Sequence, residues 1–504
     1  MSPNIAALSY ALLGIAVPFA LILKLRPPLF LARCFAVWAG SAALLFFLDD
    51  PLLILCLSGV LLLILAPLAP MERISFFFVA VPCLPTYLHA LLPFPGINWL
   101  VLLTHYKIAV LVLLVPLLFR STPEGDRRAG ASVADISIVL YAAMATFLVT
   151  AFVGFTAGPR FLIDQLLLLI VPYFVLSRTI RSPKDLESCF AALLTVSLIL
   201  AAIALAATLK QWDFYRFKAP VSVFTVPDLR SGFLRIEATA NTHSLGFHLA
   251  LGVLVLEFLK RHFQWGFIRL WTMRAMLLAA LFFTDSRGAM LALAFAFVVY
   301  VAVIPKSKVL RRGMAALLAA TAAVGLLFFI SGDVSTVDAY GSFGYRQQLL
   351  TISVAHILEH PLFGDLNFAA DPKFIPLVQG QGIIDITNYY LQIGLQYGLV
   401  GLILFMTVVF VVMHGLMGAI DRAASAGDAM QDLRIISALL LAGIAGWLVL
   451  VATTSAVGLT VHAGLILLGM GRAVPAMMPR TTSEPLRMET GPAGAHFVFR
   501  HRPR

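Results

Sequence analysis

Residues 397–419 read YGLVGLILFMTVVFVVMHGLMGA and contain no Asp, Glu, Lys or Arg. A helix of about 20 apolar residues is long enough to cross the hydrocarbon core of a bilayer. The chain as a whole is 61% hydrophobic and only 12% charged, whereas soluble proteins carry about 25% charged residues. The sequence therefore predicts an all-α, polytopic transmembrane helical bundle of about 13–15 helices. The apolar spans lie near residues 5–23, 28–48, 51–69, 74–93, 98–119, 133–157, 161–177, 187–209, 243–260, 267–284, 287–305, 312–330, 397–419, 435–455 and 457–472.

The distribution of charge indicates how this bundle is oriented. The 504-residue chain has a formal net charge of +11, which in a soluble protein would suggest binding to nucleic acid. In a membrane protein the short cytoplasmic connections are rich in Lys and Arg, and most basic residues here fall in alternate connections between apolar spans. We therefore expect no nucleic-acid partner and place those connections on the cytoplasmic side.

Two long polar segments fall on the opposite side of the predicted membrane. The second of them contains an amphipathic pattern over Tyr345–His360, ended by Pro361, which predicts a short helix lying on the membrane surface. The predicted divisions are an N-terminal transmembrane bundle (1–209), a first large outer loop (210–242), central transmembrane helices (243–330), a second large outer loop (331–396), C-terminal transmembrane helices (397–472) and a disordered cytoplasmic tail (473–504).

Arginines in the two outer loops oppose the usual topological bias and need another explanation. Arg230 and Arg235 lie in the first loop, Arg346 lies in the second, and Arg287 sits at the outer edge of a helix. Their neighbours are apolar, and a planar guanidinium suits phosphate better than the point charge of a lysine does. We expect these arginines to bind an anion, whereas basic residues such as Lys218 are explained as solvated loop charges.

Motifs for cofactors are missing from the sequence. It has no P-loop glycine pattern, no His-Glu-x-x-His and no paired-cysteine metal site, and its four cysteines fall in apolar spans at unrelated spacings. We therefore expect no cofactor and no metal. An already activated donor fits better, with a diphosphate leaving group stabilised by arginines and an acceptor hydroxyl deprotonated by a general base.

Several motifs within residues 210–410 resemble one known family. They are RIEATANTHSLG (235–246), SRGA (286–289), FGYRQQLL around Arg346, EHPLFG (359–364) and TNYYLQIGLQYGLVGLILF (387–405). Together they resemble the O-antigen ligase and polymerase superfamily. The resemblance implies an inner-membrane, metal-independent glycosyltransferase that acts on undecaprenyl-diphosphate-linked saccharides at the periplasmic face. It also implies that Arg235 and Arg346, and more loosely Arg230 and Arg287, engage the diphosphate.

The general base is the point at which this sequence departs from the family. Ligases of the family usually have a histidine directly before the asparagine that enters the next helix, and here Thr387 precedes Asn388. Asp385 is the replacement base that we favour, although it could equally cap a helix that begins near Thr387. His360 is a second candidate, with a structural role at a helix end as its alternative. We group Asn388 and His243 with the substrate-binding residues, and His243 could equally satisfy a buried backbone group.

Ionisable residues within the predicted membrane spans are functional candidates by default. His105 and Lys107 fall in the outer half of the span 98–119, and we favour snorkelling of Lys107 to the interface. Arg160 and Asp164, four residues apart, are expected to pair on one helix face.

Three functions remain open at this stage. The absence of the family's histidine favours a repeat-unit polymerase over a ligase that moves glycan to a lipid or protein acceptor. A flippase or other transporter of lipid-linked oligosaccharide is the third hypothesis, but no internal repeat is visible and the charges gather in outer loops. The expected partners are an undecaprenyl-diphosphate-linked glycan, membrane lipids and other assembly proteins such as a flippase or a chain-length regulator.

Overall fold

A computed structural model describes residues 2–22, 26–95, 97–119, 131–219, 229–230, 233–263, 265–305, 309, 313, 342–379, 382–426, 430–455 and 458–478. Within these residues, nine helices are long and apolar enough to cross a membrane, and three shorter apolar helices accompany them. The predicted all-α polytopic bundle is thereby confirmed.

The helices are numbered here in chain order. They are α1 (Pro3–Ile22), α2 (Pro28–Phe47), α3 (Pro51–Leu65), α4 (Pro70–Ala80), α5 (His105–Leu118), α6 (Val133–Phe152), α7 (Ala157–Thr179), α8 (Pro183–Lys210), α9 (Thr242–Leu259), α10 (Phe267–Phe283), α11 (Arg287–Val303), α12 (Ser342–Glu359), α13 (Tyr389–Ser425), α14 (Gln431–Thr453) and α15 (Thr460–Ala473). In the part of the chain that the structure describes, four strands form two hairpins, β1 (His89–Phe94) with β2 (Ile97–Thr104) and β3 (Leu229–Arg230) with β4 (Phe233–Leu234).

One hairpin differs from the sequence prediction. The spans 74–93 and 98–119 were expected to be helices, but α4 ends at Ala80 and the antiparallel strands β1 and β2 follow, with Leu91 opposite Leu102. Pro82 has non-helical backbone angles (φ −91°, ψ 19°), because a proline ring clashes with the preceding helical turn and removes a hydrogen-bond donor. Both segments are apolar, as the composition indicates, but composition alone does not distinguish a helix from a strand. The prolines prevent the first segment from remaining helical.

The centre of the bundle is occupied by α8 and α14, whose apolar windows are 89% and 83% buried. Neighbouring helices approach closely where a small residue faces a large one. At Gly464 in α15, a Cβ atom would lie 1.9 Å from the ring of Trp447 in α14, so only glycine fits. Small residues of this kind allow close packing between membrane helices, where the hydrophobic effect contributes little.

The second outer loop is a folded unit with its own small core. The helix that was predicted over Tyr345–His360 is present as α12, and two short 3₁₀ helices follow it, Phe368–Ala370 and Pro372–Leu377. The buried core of this unit consists of Leu349, Phe368, Phe374, Leu377, Ile386 and Leu395.

This loop is joined to α13 through two backbone turns. Gly398 interrupts the helix with φ 63° and ψ −165°, and Gly364 in the turn after α12 has φ 67°. The kink exposes backbone groups that the turn satisfies: Asp365 N donates to Leu395 O (2.7 Å), Leu399 N donates to the carbonyl of residue 361 (2.8 Å), and Val400 N donates to that of residue 362 (3.2 Å). Both turns belong to the motifs EHPLFG and GLQYGLVG, so their contact joins two stretches that are separate in sequence.

Candidate functional site

The residues that follow α14 connect the second loop to the helices of the bundle. Arg346 Nη2 donates to the backbone oxygen of Thr453 (3.3 Å), and the Ser455 hydroxyl donates to the carboxylate of Asp385. Gly288, in the first turn of α11, approaches the same point, since a Cβ there would lie 2.7 Å from Thr453 Oγ1. The segment 453–455 therefore brings together Arg346, Asp385 and the start of α11.

The SRGA motif connects the first loop to this point. Arg235 Nε donates to the backbone oxygen of Thr284 (3.3 Å), and His243 Nδ1 lies 3.0 Å from the hydroxyl of Ser286. Between Thr284 and Ser286, Asp285 has a positive φ of 47°, a conformation uncommon for a residue with a side chain. His243 therefore contacts a side chain of SRGA, and Arg235 contacts the backbone beside it.

The N-terminus of α11 is suited to an anion. Ser286 is its N-cap residue, and the Ser286 side chain makes no capping hydrogen bond. Arg287, the first residue of α11, is exposed. The first backbone N–H groups of a helix and its positive dipole end both favour a negative charge. An exposed guanidinium at such an end adds to that preference.

The first loop is fixed in place by contacts with residues 86–87. The hydroxyl of Tyr87 donates to Tyr215 O (2.6 Å), and Thr86 N donates to Thr239 O (3.1 Å). Arg230 lies in β3, opposite Phe233, and its side chain is outside the described part of the structure. These contacts hold the segment that carries Arg235 against the bundle.

Two carboxyl groups of the first loop lie near each other, the buried Asp213 and the half-buried Glu237. Burial and the Asp213 charge raise the pKa of Glu237, although Arg216 and Arg235 oppose that shift. Burial also raises the pKa of Asp213, which accepts backbone N–H bonds from Arg216 (3.1 Å) and Glu237 (3.3 Å). Glu237 further accepts from the hydroxyl of Thr242 (3.4 Å). Electrostatic interaction with Arg235 is thus only one of several effects on Glu237.

Asp385 is held by the second loop as well as by Ser455. The hydroxyl of Tyr345 donates to the backbone oxygen of Asp385 (2.9 Å), and burial raises the pKa of this tyrosine. The interpretation of Asp385 as a helix cap is wrong, because Asn388 is the N-cap of α13 and accepts from Tyr390 N (2.9 Å) and Leu391 N (3.2 Å). Only the amide nitrogen of Asn388 therefore remains to donate to a ligand.

His360 is not brought together with the arginines. It follows the C-terminal end of α12, and its ring centroid is 5.0 Å from that of His356. Arg346 lies fourteen residues earlier on the same helix, which corresponds to about 21 Å at 1.5 Å per residue. The two catalytic candidates Asp385 and His360 thus belong to different clusters.

The ionisable residues of the membrane spans form other contacts than expected. Lys107 does not snorkel: it is 3% exposed and pairs with Asp164 Oδ1 at 2.5 Å. The expected pair of Arg160 and Asp164 is wrong, because Arg160 lies over the ring of Trp99, 4.3 Å from its centroid. His105 Nε2 lies 3.0 Å from the backbone oxygen of residue 80. These groups are paired inside the bundle.

Residues 272–406 match the family described as O-Antigen ligase (Wzy_C). This stretch of the chain is similar to that family. No curated protein gives a significant match to the chain. The matched region includes Arg287, Arg346, Asp385 and Asn388, and the match supports the resemblance of the motifs to the O-antigen ligase and polymerase superfamily. The match to this family supports a glycosyltransferase-like activity, of the ligase or polymerase type, that involves a lipid-linked glycan.

Sequence reasoning missed three residues that contact the candidate site residues, Thr284, Thr453 and Ser455. Thr453 and Ser455 lie about fifty residues beyond the matched region, and Thr284 contributes only a backbone oxygen to Arg235. The one available signal was the run Thr-Thr-Ser at the end of a membrane span. Its partners follow from tertiary contacts that no local pattern encodes.

Proposed function

We propose that this protein polymerises undecaprenyl-diphosphate-linked saccharide repeat units at the periplasmic face of a bacterial inner membrane. The observation that carries the proposal is that the second loop contacts residues 453–455, the first loop contacts residues 284–286 at the start of α11, and Gly288 of α11 approaches Thr453. Arg346 and Asp385 come from the second loop, and Arg235 comes from the first, beside the N-terminal end of α11 that carries Arg287. Such a cluster is suited to a diphosphate held close to a base.

The reaction transfers a glycan from diphosphate to a sugar hydroxyl. The hydroxyl oxygen of the acceptor attacks the anomeric carbon of the donor, and the bond from that carbon to the diphosphate oxygen breaks. The electron pair of the broken bond stays on the departing lipid diphosphate, and the hydroxyl proton passes to a base. The transferred chain grows by one unit, and all atoms are accounted for without an oxidant or a second nucleotide.

The arginines stabilise the charge that develops on the leaving group. Preorganised donors directed at a developing charge are among the largest contributions to enzymatic rate. Arg235 and Arg346 approach from opposite loops, and the N-terminal N–H groups of α11 add a fixed positive potential. The positive charge supplied by these protein groups supports a reaction in which no metal contacts the diphosphate.

Asp385 is the proposed general base. The hydroxyl of Ser455 donates to Oδ1, which orients the carboxylate and leaves Oδ2 to accept the proton. A base has to lie within hydrogen-bond reach of the proton that it removes. Asp385 also contacts Tyr345, one residue before Arg346, so the proposed base and a proposed diphosphate ligand belong to the same folded unit.

A comparison of arginine variants tests the diphosphate role. Arg346→Ala and Arg235→Ala should each lower the rate of polymer formation by about 10²–10³-fold, as expected when a donor to developing charge is removed. Lys218→Ala is the matched control, because Lys218 is a basic residue of the first loop that pairs with Asp49 (2.7 Å). The measurement is chain growth by purified, reconstituted protein on a lipid-diphosphate-linked repeat unit. Wild-type rates in both arginine variants would contradict the proposal.

Lipid-linked glycans in a strain without the protein distinguish polymerase from ligase. Thr387, where the family's ligases usually have a histidine, favours the polymerase. Single repeat units on the lipid carrier should then accumulate. Long unattached chains on the carrier would identify a ligase instead. Retention of the units on the cytoplasmic side would identify a flippase and exclude both enzymes.

A further inference from the structure

The side chain of a histidine in the last turn of α12 is buried and makes no hydrogen bond with the described residues. His356 is 1% exposed, and neither ring nitrogen makes a hydrogen bond with any described residue. Its Nε2 lies 3.3 Å from Asp365 Oδ2, and its Nδ1 lies 3.3 Å from Asp371 Oδ2. A buried imidazole whose two nitrogens face carboxylates without bonding to them requires an explanation, because unpaired buried polar groups are costly.

The spacing of the neighbouring residues is that of a metal ligand pair. His356 and His360 are separated by one helical turn in the sequence HILEH (356–360), which has the H-x-x-E-H arrangement of some zinc sites. Ligand atoms of His356, His360 and Asp365 all lie within 4.8 Å of one another. Two imidazoles and one carboxylate form a common donor set for zinc and other divalent transition metals.

A second possible group in the same place is less suitable. His356, Glu359 and Asp371 also bring three ligand atoms within 4.8 Å. However, both carboxylate oxygens of Glu359 accept from Lys373 Nζ at 2.6 Å. The Lys373 charge would repel a cation bound by this carboxylate. The group with His360 and Asp365 is therefore the favoured one.

One observed separation between ligand atoms suits a tetrahedral ion. Zinc bonds of about 2.0–2.1 Å in tetrahedral geometry place ligand atoms about 3.3 Å apart, and 3.3 Å is the separation of His356 Nε2 from Asp365 Oδ2. On the other side of the ring, Asp371 lies where it can accept the Nδ1 proton after a small rotation. A carboxylate in that position orients many metal-binding histidines.

The position of Asp365 is fixed by the backbone. It follows Gly364, whose positive φ shapes the turn, and its N–H donates to Leu395 O at the kink of α13 (2.7 Å). The carboxylate is therefore presented from a turn that is already attached to the bundle. A site whose ligands are held before the ion arrives loses less entropy on binding.

We propose that His356, His360 and Asp365 bind one divalent transition-metal cation of the zinc type, with Asp371 orienting His356. The ion joins the C-terminal end of α12 to the turn at Gly364. Because Arg346 is on the N-terminal part of the same helix, the ion fixes the helix that carries a proposed diphosphate ligand. It takes part in no step of glycan transfer, and this inference stands independently of the proposed function.

Metal binding by the full-length protein tests the site. The protein is purified in detergent with an affinity tag that contains no histidine, stripped with a chelator and titrated with Zn²⁺ or Co²⁺ while heat, stoichiometry and Co²⁺ absorption are measured. We expect one bound ion with a tetrahedral Co²⁺ spectrum. His360→Gln and Asp365→Asn should weaken binding at least 100-fold, and Asp371→Asn about 10–100-fold. Glu359→Gln is the matched control and should bind as the wild type does.

Three results would overturn the proposal. The first is the lack of saturable binding to the wild type. The second is equal affinity in wild type, His360→Gln and Asp365→Asn, which would assign the ion to another of the chain's 11 histidines or four cysteines. The third is loss of binding in Glu359→Gln with retention in His360→Gln, which would select the other group. Zn²⁺ should also raise the melting temperature of wild type and Glu359→Gln but not of His360→Gln.

Discussion

Replacement of Gly398 by alanine should detach the second loop from α13. An added Cβ would lie 2.4 Å from Leu362 O and 2.7 Å from Gly364 N, and these backbone atoms cannot move aside as a flexible side chain would. The backbone angles of φ 63° and ψ −165° also belong to a region that residues other than glycine rarely adopt. Both effects act at the junction of the loop and the helix.

The size of the effect follows from what is lost. Forcing alanine into this conformation costs about 1–3 kcal/mol. If the turn separates instead, the three backbone hydrogen bonds across the junction are lost, each contributing about 0.5–1.5 kcal/mol. We expect the local free energy of opening to fall by about 2–4 kcal/mol, which corresponds to at least a tenfold increase in amide exchange, since 1.4 kcal/mol is a factor of ten.

Hydrogen exchange measured by mass spectrometry on the purified protein provides the assay. Peptides that contain Asp365, Leu399 and Val400 should exchange faster in Gly398→Ala, while the central helices α8 and α14 should be unchanged. Gly418→Ala is the matched control, because Gly418 lies in the same helix and a Cβ there meets nothing within 4 Å. That variant should be neutral or more stable by up to about 1 kcal/mol.

Unchanged exchange at these three amides in Gly398→Ala would refute the reasoning. It would mean that the kink absorbs a side chain without separation of the turn. Gly364→Ala should give the same result from the other side, since its Cβ would lie 2.4 Å from Leu395 O. Opposite behaviour of the two variants would show that the contact does not act as one unit.

Three further predictions concern the site and the core. Asp385→Asn should lower the rate of polymer formation at least 100-fold with normal protein yield. Ser455→Ala should lower the rate less, because this variant loses only the hydrogen bond that orients the carboxylate. A wild-type rate in Asp385→Asn would exclude Asp385 as the base. The folded-state pKa of Glu237 is raised by burial and Asp213, so its contribution favours folding as the pH falls from 7 toward the ordinary carboxyl range and is lost as the pH rises. As the pH is lowered, the melting temperature of the wild type should therefore rise relative to that of Glu237→Gln. Glu359→Gln removes a carboxyl whose pKa Lys373 lowers, and its melting temperature should not show the same trend relative to the wild type. Parallel curves of melting temperature against pH for wild type and Glu237→Gln would contradict the assignment. Gly464→Val should strongly reduce the yield of folded protein, because Trp447 occupies the space that the side chain needs, and normal yield and melting temperature would show that α14 and α15 can separate at this point.

Much of the bundle could be predicted because length and apolar composition are local properties. Charge-free stretches such as 397–419 identify membrane helices with no knowledge of their neighbours. The same criterion failed at residues 89–104, where apolar strands have the composition of a membrane helix. Backbone geometry at Pro82 separates the two outcomes, and composition does not contain that information.

The candidate site was predictable only in part, because its contacts join residues that are distant in the sequence. Residue type predicts that the arginines bind an anion, since a guanidinium among apolar neighbours suggests such a partner, and this stays a prediction. The partner of a charged residue was harder to predict from the sequence. Asp164 pairs with Lys107, fifty-seven positions away, and not with Arg160, four positions away. The roles of Asp385 and Asn388 depended on which of them begins α13, and helix boundaries are poorly determined by local sequence.

The contact between the turn at Gly364 and the kink at Gly398 also bears on how such loops diversify. Its hydrogen bonds join backbone atoms only, so they depend little on the identity of the side chains beside them. Leu362 and Phe363, 61% and 50% exposed, are free to change while the attachment persists. Chimaeras that exchange the second loop between relatives should therefore remain docked as long as both glycines are kept, and saccharide preference can vary on a constant framework.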